Sequence, residues 1–172
     1  MPTINGSTEG TGDVVVRVAT LGDAAAIAEI ERASFPQGKE RFELRKVSRL
    51  LQTPRCRVLV AEIGGRVAAW TVGILWRFAT PPWGRVYSVA AHPDFRSRGL
   101  GTALLARIVA ELRTLGAHDV FLEARTDNTR AIALYQRMGF VKCADLSHFY
   151  GEHVHAIRMR LAPPPGESKA QG

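Results

Sequence analysis

The chain has 172 residues, 46% of them hydrophobic and 23% charged, an ordinary globular composition that predicts one domain with a sizeable core and leaves disorder to the ends. No apolar run approaches the ~18 residues that a membrane span requires, and the first dozen residues have neither the basic start nor the apolar centre of a signal peptide, so a cytoplasmic protein is expected. A formal net charge of +7 raises nucleic acid as a partner. Arg17, Arg45, Arg66, Arg107 and Arg160 are scattered, however, and no helix-turn-helix, zinc-finger or RNP-like pattern is present, so no specific nucleic-acid partner is expected.

Residues 1–12, rich in Gly, Ser and Thr, read as a loose tail ahead of a domain spanning 13–162, and Pro163-Pro164-Pro165 opens a polar tail over 163–172. Val14 to Val18 predicts a strand. A helix from about Leu21 to Ser34, capped by Thr20 or Asp23, turns Leu21, Ala24, Ile27 and Ile30 or Ala28 inward, and Pro36 with Gly38 stops it. The spacing of Leu44, Val47, Leu50 and Leu51 predicts a second helix over about Lys39 to Gln52. Cys56 to Ile63 and Arg66 to Trp76 flank Gly64-Gly65, the signature of a hairpin, and the second of these runs is continuously apolar, as in a strand covered on both faces.

Pro81-Pro82 breaks the chain before a β-favouring run (Val86, Tyr87, Val89, Ala90, Ala91). A glycine-bearing loop, Arg96-Ser97-Arg98-Gly99-Leu100-Gly101, leads into a helix on which Leu104, Leu105, Ile108, Leu112 and Leu115 recur. His118 to Ala124 predicts the next strand and Asn128 to Met138 a helix, with Gly139 in its C-cap position. Phe140 begins another strand, and in the last one Met159 and Leu161 alternate with Arg158 and Arg160. The fold class is therefore α/β, with a single mixed sheet of about seven strands flanked by about four helices.

Gly99 and Gly101 lack a Cβ at a helix entrance, where backbone N–H groups find no helical carbonyl, and this makes a cradle for phosphate. A dinucleotide fingerprint would need a third glycine at Leu104, and a P-loop would need Lys where Gly101 precedes Thr102. Both fail. The loop either caps the helix and nothing more, or belongs to another phosphate-binding class. Arg96-x-x-Gly99-x-Gly101 after a strand resembles the signature of the GNAT superfamily of N-acetyltransferases, whose loop amides hold the pyrophosphate of acetyl-CoA. The stretch Glu123-Ala124-Arg125, Asn128-x-x-Ala131-x-x-Leu134-Tyr135, Gly139-Phe140 resembles the pattern that follows the loop in those enzymes, and the order of elements is similar to the GNAT fold. Within the superfamily the chain most resembles the RimI-type ribosomal-protein alanine N-acetyltransferases and N-terminal acetyltransferases generally. That resemblance covers about Val86 to Leu161, with His148-Phe149-Tyr150-Gly151-Glu152 resembling a degraded form of their aromatic Asn-Tyr-Tyr stretch.

The resemblance implies roles. Arg96, Ser97, Arg98, Gly99, Leu100, Gly101 and Thr102 would bind the pyrophosphate, and the backbone amides of Val89, Ala90 and Ala91 would meet the pantetheine arm and acetyl carbonyl. Asn128 would contact the cofactor, with a plain N-cap as the alternative. Tyr135 would protonate the departing thiolate, a phenol near ~10 being protonated at neutral pH without tuning; the alternative is an inward-facing aromatic. Glu123 would be the general base, or else a strand-end carboxylate paired with Arg125 or Arg130. The implied acceptor is a protein or peptide N-terminal α-amine, recognised by Ser34 to Phe42 and His148 to His155. A small-molecule amine is the alternative, and a non-catalytic acyl-CoA-binding module a lesser one. No metal is expected: His153 and His155, on one strand face, are two ligands without a third. Cys56 and Cys143 read as reduced thiols in a packed interior, and no acetyl-cysteine route is needed.

Overall fold

The apolar runs of the sequence become a seven-stranded sheet in the computed structural model, which describes residues 13–36 and 41–166. The strands are β1 (Val14–Val18), β2 (Cys56–Ile63), β3 (Arg66–Trp76), β4 (Trp83–Ala91), β5 (Asp119–Arg125), β6 (Val141–Gly151) and β7 (Val154–Leu161), ordered β1-β2-β3-β4-β5-β7-β6. Neighbours run antiparallel except β4 and β5, which are parallel and so need a crossover. The helices are α1 (Ala24–Ser34), α2 (Leu44–Leu51), α3 (Leu100–Thr114) and α4 (Thr129–Arg137), and α3 makes that crossover. Leu104, Leu105, Ile108 and Leu112 of α3 pack on one sheet face with Val120, Leu122 and Met159. Ile27, Ile30 and Val47 of α1 and α2 cover the other face over β2 and β3, around the fully buried Trp70. With helices on both sides, β3 is buried almost end to end.

The helix entrances differ from the sequence reading for local reasons. Thr20 N–H donates to Asp23 Oδ2 at 2.7 Å, and a 3-10 turn at Leu21–Asp23 precedes α1; this turns Leu21 outward, 57% exposed, while Ala24, Ile27, Ala28 and Ile30 are buried. The second helix begins at Leu44; Lys39 lies outside the described residues. Phe42 precedes it, its N–H donating to Glu31 Oε2 at 2.9 Å and its ring packed edge-on against Trp70. Leu44 is therefore at the helix mouth and exposed, leaving Val47 as the buried residue. Cys56 is buried as expected but Cys143 is exposed, since it lies on the edge strand β6. His153 sits with positive φ in the β6–β7 turn and shares no strand face with His155. The tail over 1–12, and the second tail from residue 167 onward, lie outside the described residues.

Two irregularities open the sheet. The β3–β4 register passes from Val72↔Ser88 to Gly73↔Val86, so Tyr87 is an extra, bulged residue. The β4–β5 pairing ends at Val86↔Leu122, although β4 continues to Ala91 and β5 to Arg125. Beyond that pair the two strands part, and the gap is the cleft described next.

Candidate active site

A hollow of about 710 Å³ lies in this gap, walled by the end of β4, the loop before α3 and the first turns of α4. His92 N–H donates to Ala68 O at 2.8 Å. By the two-residue alternation of an antiparallel ladder, the N–H of Ala90 then faces β3 while those of Val89 and Ala91 face the gap. Two of the three predicted β4 amides are thus presented to the hollow.

The loop is built as a cradle. Ser97 and Gly99 both have positive φ, 64° and 73°, which turns successive amides toward one side. Ala103 N–H is the first to find a helical partner, Gly99 O at 3.0 Å, so the amides of Leu100, Gly101 and Thr102 have no intrahelical acceptor. A Cβ on Gly99 would meet nothing within 4 Å, and one on Gly101 would lie 3.4 Å from the Leu134 side chain, at the wall. Arg96 lines the hollow. Arg98 instead lays its guanidinium over Phe95, 5.7 Å from the ring centre. Arg130, read from the sequence only as an alternative partner of Glu123, and Arg137 also line the wall from α4, and Arg130 Nη2 donates to Ser97 Oγ at 2.9 Å. Open amides and arginine side chains fit a pyrophosphate.

A smaller hollow of about 120 Å³ opens on the α1–α2 side of the sheet and shares Phe35, Val89, Asn128, Ala131 and Tyr135 with the larger one. Asn128 is an N-cap, its Oδ1 accepting from Ala131 N–H at 3.2 Å, and it also lines both hollows. Tyr135 is 9% exposed, and burial pushes its phenol up to about 12. Glu123 lines the smaller hollow with a side chain only 3% exposed. Neither Arg125 nor Arg130 is its partner. Instead Arg85 Nε donates to Oε2 and Arg158 Nε to Oε1, each at 2.8 Å, because β4 and β7 are the neighbours of β5. Arg125 pairs with Asp127.

The profile of the Acetyltransferase (GNAT) family matches residues 24–140, more than half of the chain. The chain belongs to this family. As a GNAT enzyme it is an acetyl-CoA-dependent N-acetyltransferase. An N-alpha-acetyltransferase of Sulfurisphaera tokodaii is 31% identical over 153 residues, 84% of this chain and 90% of the relative. The N-alpha-acetyltransferase RimI of Mycobacterium tuberculosis is 31% identical over 161 residues, 91% of this chain and 99% of the relative. The ribosomal-protein-S18-alanine N-acetyltransferase of Escherichia coli has the same fold, with a TM-score of 0.78 at 24% identity, covering 92% of this chain and all of that one.

The GNAT cleft also contains a carboxylate that no motif announces. Glu31, in the last turns of α1, is 1% exposed, and lines the smaller hollow. Burial pushes its carboxyl up, while three donors pull it back: Phe42 N–H and Trp70 Nε1–H at 2.9 Å each, and Ser88 Oγ–H at 3.1 Å. It ties the segment entering α2 to β3 and β4. In the sequence it looks like one more polar residue of an amphipathic helix. Tyr150 closes the other side, with its hydroxyl donating to Glu123 O at 3.4 Å.

Proposed function

We propose that this enzyme moves the acetyl group of acetyl-CoA directly to the α-amine at a protein or peptide N-terminus, in the cytoplasm. The observation that carries the reading is the meeting of two hollows at Tyr135. One is large and rimmed by open amides and arginines; the other is narrow, bounded by Phe35, Tyr87 and Tyr150 and floored by carboxylates. An apolar, aromatic mouth of that size takes one chain end. The names of the relatives, N-alpha-acetyltransferases, agree with it.

In this reading the Leu100 to Thr102 amides and Arg96 hold the pyrophosphate, and the Val89 and Ala91 amides orient the acetyl carbonyl, where a preset donor contributes ~3 kcal/mol as negative charge develops on oxygen. Glu123 takes the proton of the attacking amine. Both its oxygens already accept from arginine, but a carboxylate has about four acceptor positions, so its remaining lone pairs serve the amine or a water. Tyr135, where the two hollows meet, would serve the departing thiolate: burial raises its phenol to about 12 and keeps it protonated, so it can donate to the sulfur as charge builds there.

An α-amine near ~7.8 is about 10–20% neutral at pH 7, whereas a lysine near ~10.4 is about 0.04% neutral. A single carboxylate thus has a far smaller task at an N-terminus. The test is mass spectrometry of one peptide that carries both a free N-terminus and an internal Lys, incubated with enzyme and acetyl-CoA. Acetylation at the α-amine is expected, and preferential Lys acetylation overturns the assignment.

A further inference from the structure

At the end of the sheet remote from the cleft, residues 77–82 join β3 to β4 beside another hollow of about 430 Å³. Trp83 lines this hollow and Ala91 lines the cofactor cleft, so the nine residues of β4 separate the two by about 25 Å. Leu75 and Leu115 contribute apolar wall, Trp76 and Trp83 stack with ring centres 5.2 Å apart, and Phe78 stands 90% exposed at the rim. An aromatic so placed is not held there by core packing. Two guanidinium groups border the hollow: Arg55 lies over Trp76, 5.1 Å from the ring centre, and Arg77 over Phe78 at 4.9 Å. On the sheet Arg17, Arg85, Arg158 and Arg160 each have a carboxylate, while Arg57 donates to the Pro54 and Cys56 carbonyls and Arg66 lies over Phe95. Among the described residues, Arg55 and Arg77 have none, and no carboxylate lines this hollow.

We propose that the hollow is a docking site for an acidic segment of a partner protein, which inserts one bulky apolar side chain beside Phe78 and sets carboxylates against Arg55 and Arg77. An apolar anchor ringed by charge is the usual anatomy of a protein contact. Charge chooses the occupant. A second copy docked by the same face would oppose four uncompensated guanidinium groups across an apolar seam. The Trp76 ring, engaged by Trp83 and Arg55, offers a nucleobase no open face, and a comparison with a nucleic acid tests Phe78. The site is independent of the acetyl-transfer chemistry.

The experiment is fluorescence polarisation of the full chain with a fluorescein-labelled, N-terminally acetylated octapeptide, Asp-Glu-Asp-Leu-Phe-Glu-Asp-Glu, in 50 mM salt. The controls are a twin with Lys at every acidic position and a labelled decauridylate. Saturable binding of the acidic peptide alone is expected, weakened at least about tenfold by Phe78→Ala and by the Arg55→Glu/Arg77→Glu pair. Both variants should acetylate a short acceptor peptide at the wild-type rate. The proposal is overturned if the acidic peptide does not bind, if its binding is indifferent to both variants, if decauridylate binds more tightly by the same residues, or if sedimentation shows a dimer that Phe78→Ala dissolves.

Discussion

Tyr135 and Glu123 border one narrow hollow, but their surroundings prepare them in opposite ways: apolar packing keeps the phenol protonated, while two guanidinium groups hold the carboxylate in place. Since the phenol lies at about 12, it does not titrate between pH 6 and 9, and the wild-type rate should show no descending limb from it there. Tyr135→Phe should slow turnover by ~100-fold across that whole range. Glu123→Gln should also cost ~100-fold near neutrality, but part of the loss should return as pH rises and the amine deprotonates unaided. A pH–rate series on both variants separates the roles, and an unaffected Glu123→Gln enzyme would remove the base assignment. In the cradle, Gly101→Val should weaken CoA binding in a calorimetric titration with the fold intact, because the added branch enters the hollow beside Leu134. Gly99→Val adds a backbone cost of roughly 1–2 kcal/mol, since its φ of 73° is left-handed.

Among the elements, α1 depends on charged groups at both ends. Asp23 at its start accepts from Arg17 Nη1 and Nη2 at 2.8 and 2.9 Å, and this pairing holds its carboxyl below the usual value. A depressed folded value means that the stabilisation is present above the unfolded value of ~3.9 and is lost as pH falls through the folded one. Arg17 is about a third exposed, so the contribution is modest, about 1 kcal/mol. Asp23→Asn should therefore lower the melting temperature at pH 7, and the difference from wild type should shrink as pH falls below ~3.9. At the other end, Glu31→Ala leaves the donors of Phe42, Trp70 and Ser88 without their acceptor at a buried position. That should cost about 3 kcal/mol and, because Phe42 is released from the sheet, raise KM for the acceptor peptide more than that for acetyl-CoA. Calorimetric melting and steady-state kinetics check the two parts.

At the scale of the molecule, binding at the parted strands should couple to global stability. Acetyl-CoA at 100 times its Kd stabilises by ~2.7 kcal/mol, which in a domain of this size raises Tm by roughly 5–10 °C. Differential scanning fluorimetry with and without acetyl-CoA measures it. The glycine loop, the Asn128 cap, the place of Tyr135 on its helix and the sequence of strands and helices were legible in the sequence, since each depends on neighbours within a few residues: period, capping chemistry, a glycine where the chain turns left-handed. Leu21, Leu44 and Cys143 were misplaced because the same apolar periodicity continues past the point where a 3-10 turn, a hydrogen bond to Glu31 or a sheet edge ends burial.

In the sequence by itself the chemistry class rested on the resemblance of Arg96–Gly101 and Glu123–Phe140 to GNAT enzymes, and the residues alone determined a glycine-bearing helix entrance open to an anion, a local pattern that survives any packing. Only the tertiary structure decided the partners. Glu123 meets Arg85 and Arg158, from positions 38 and 35 residues away, because β7 inserts between β5 and β6. Glu31 meets Trp70 because α1 crosses the face of β3. Such pairings are set by which strands lie side by side, and strand order is a choice among non-local contacts that no short stretch of sequence encodes.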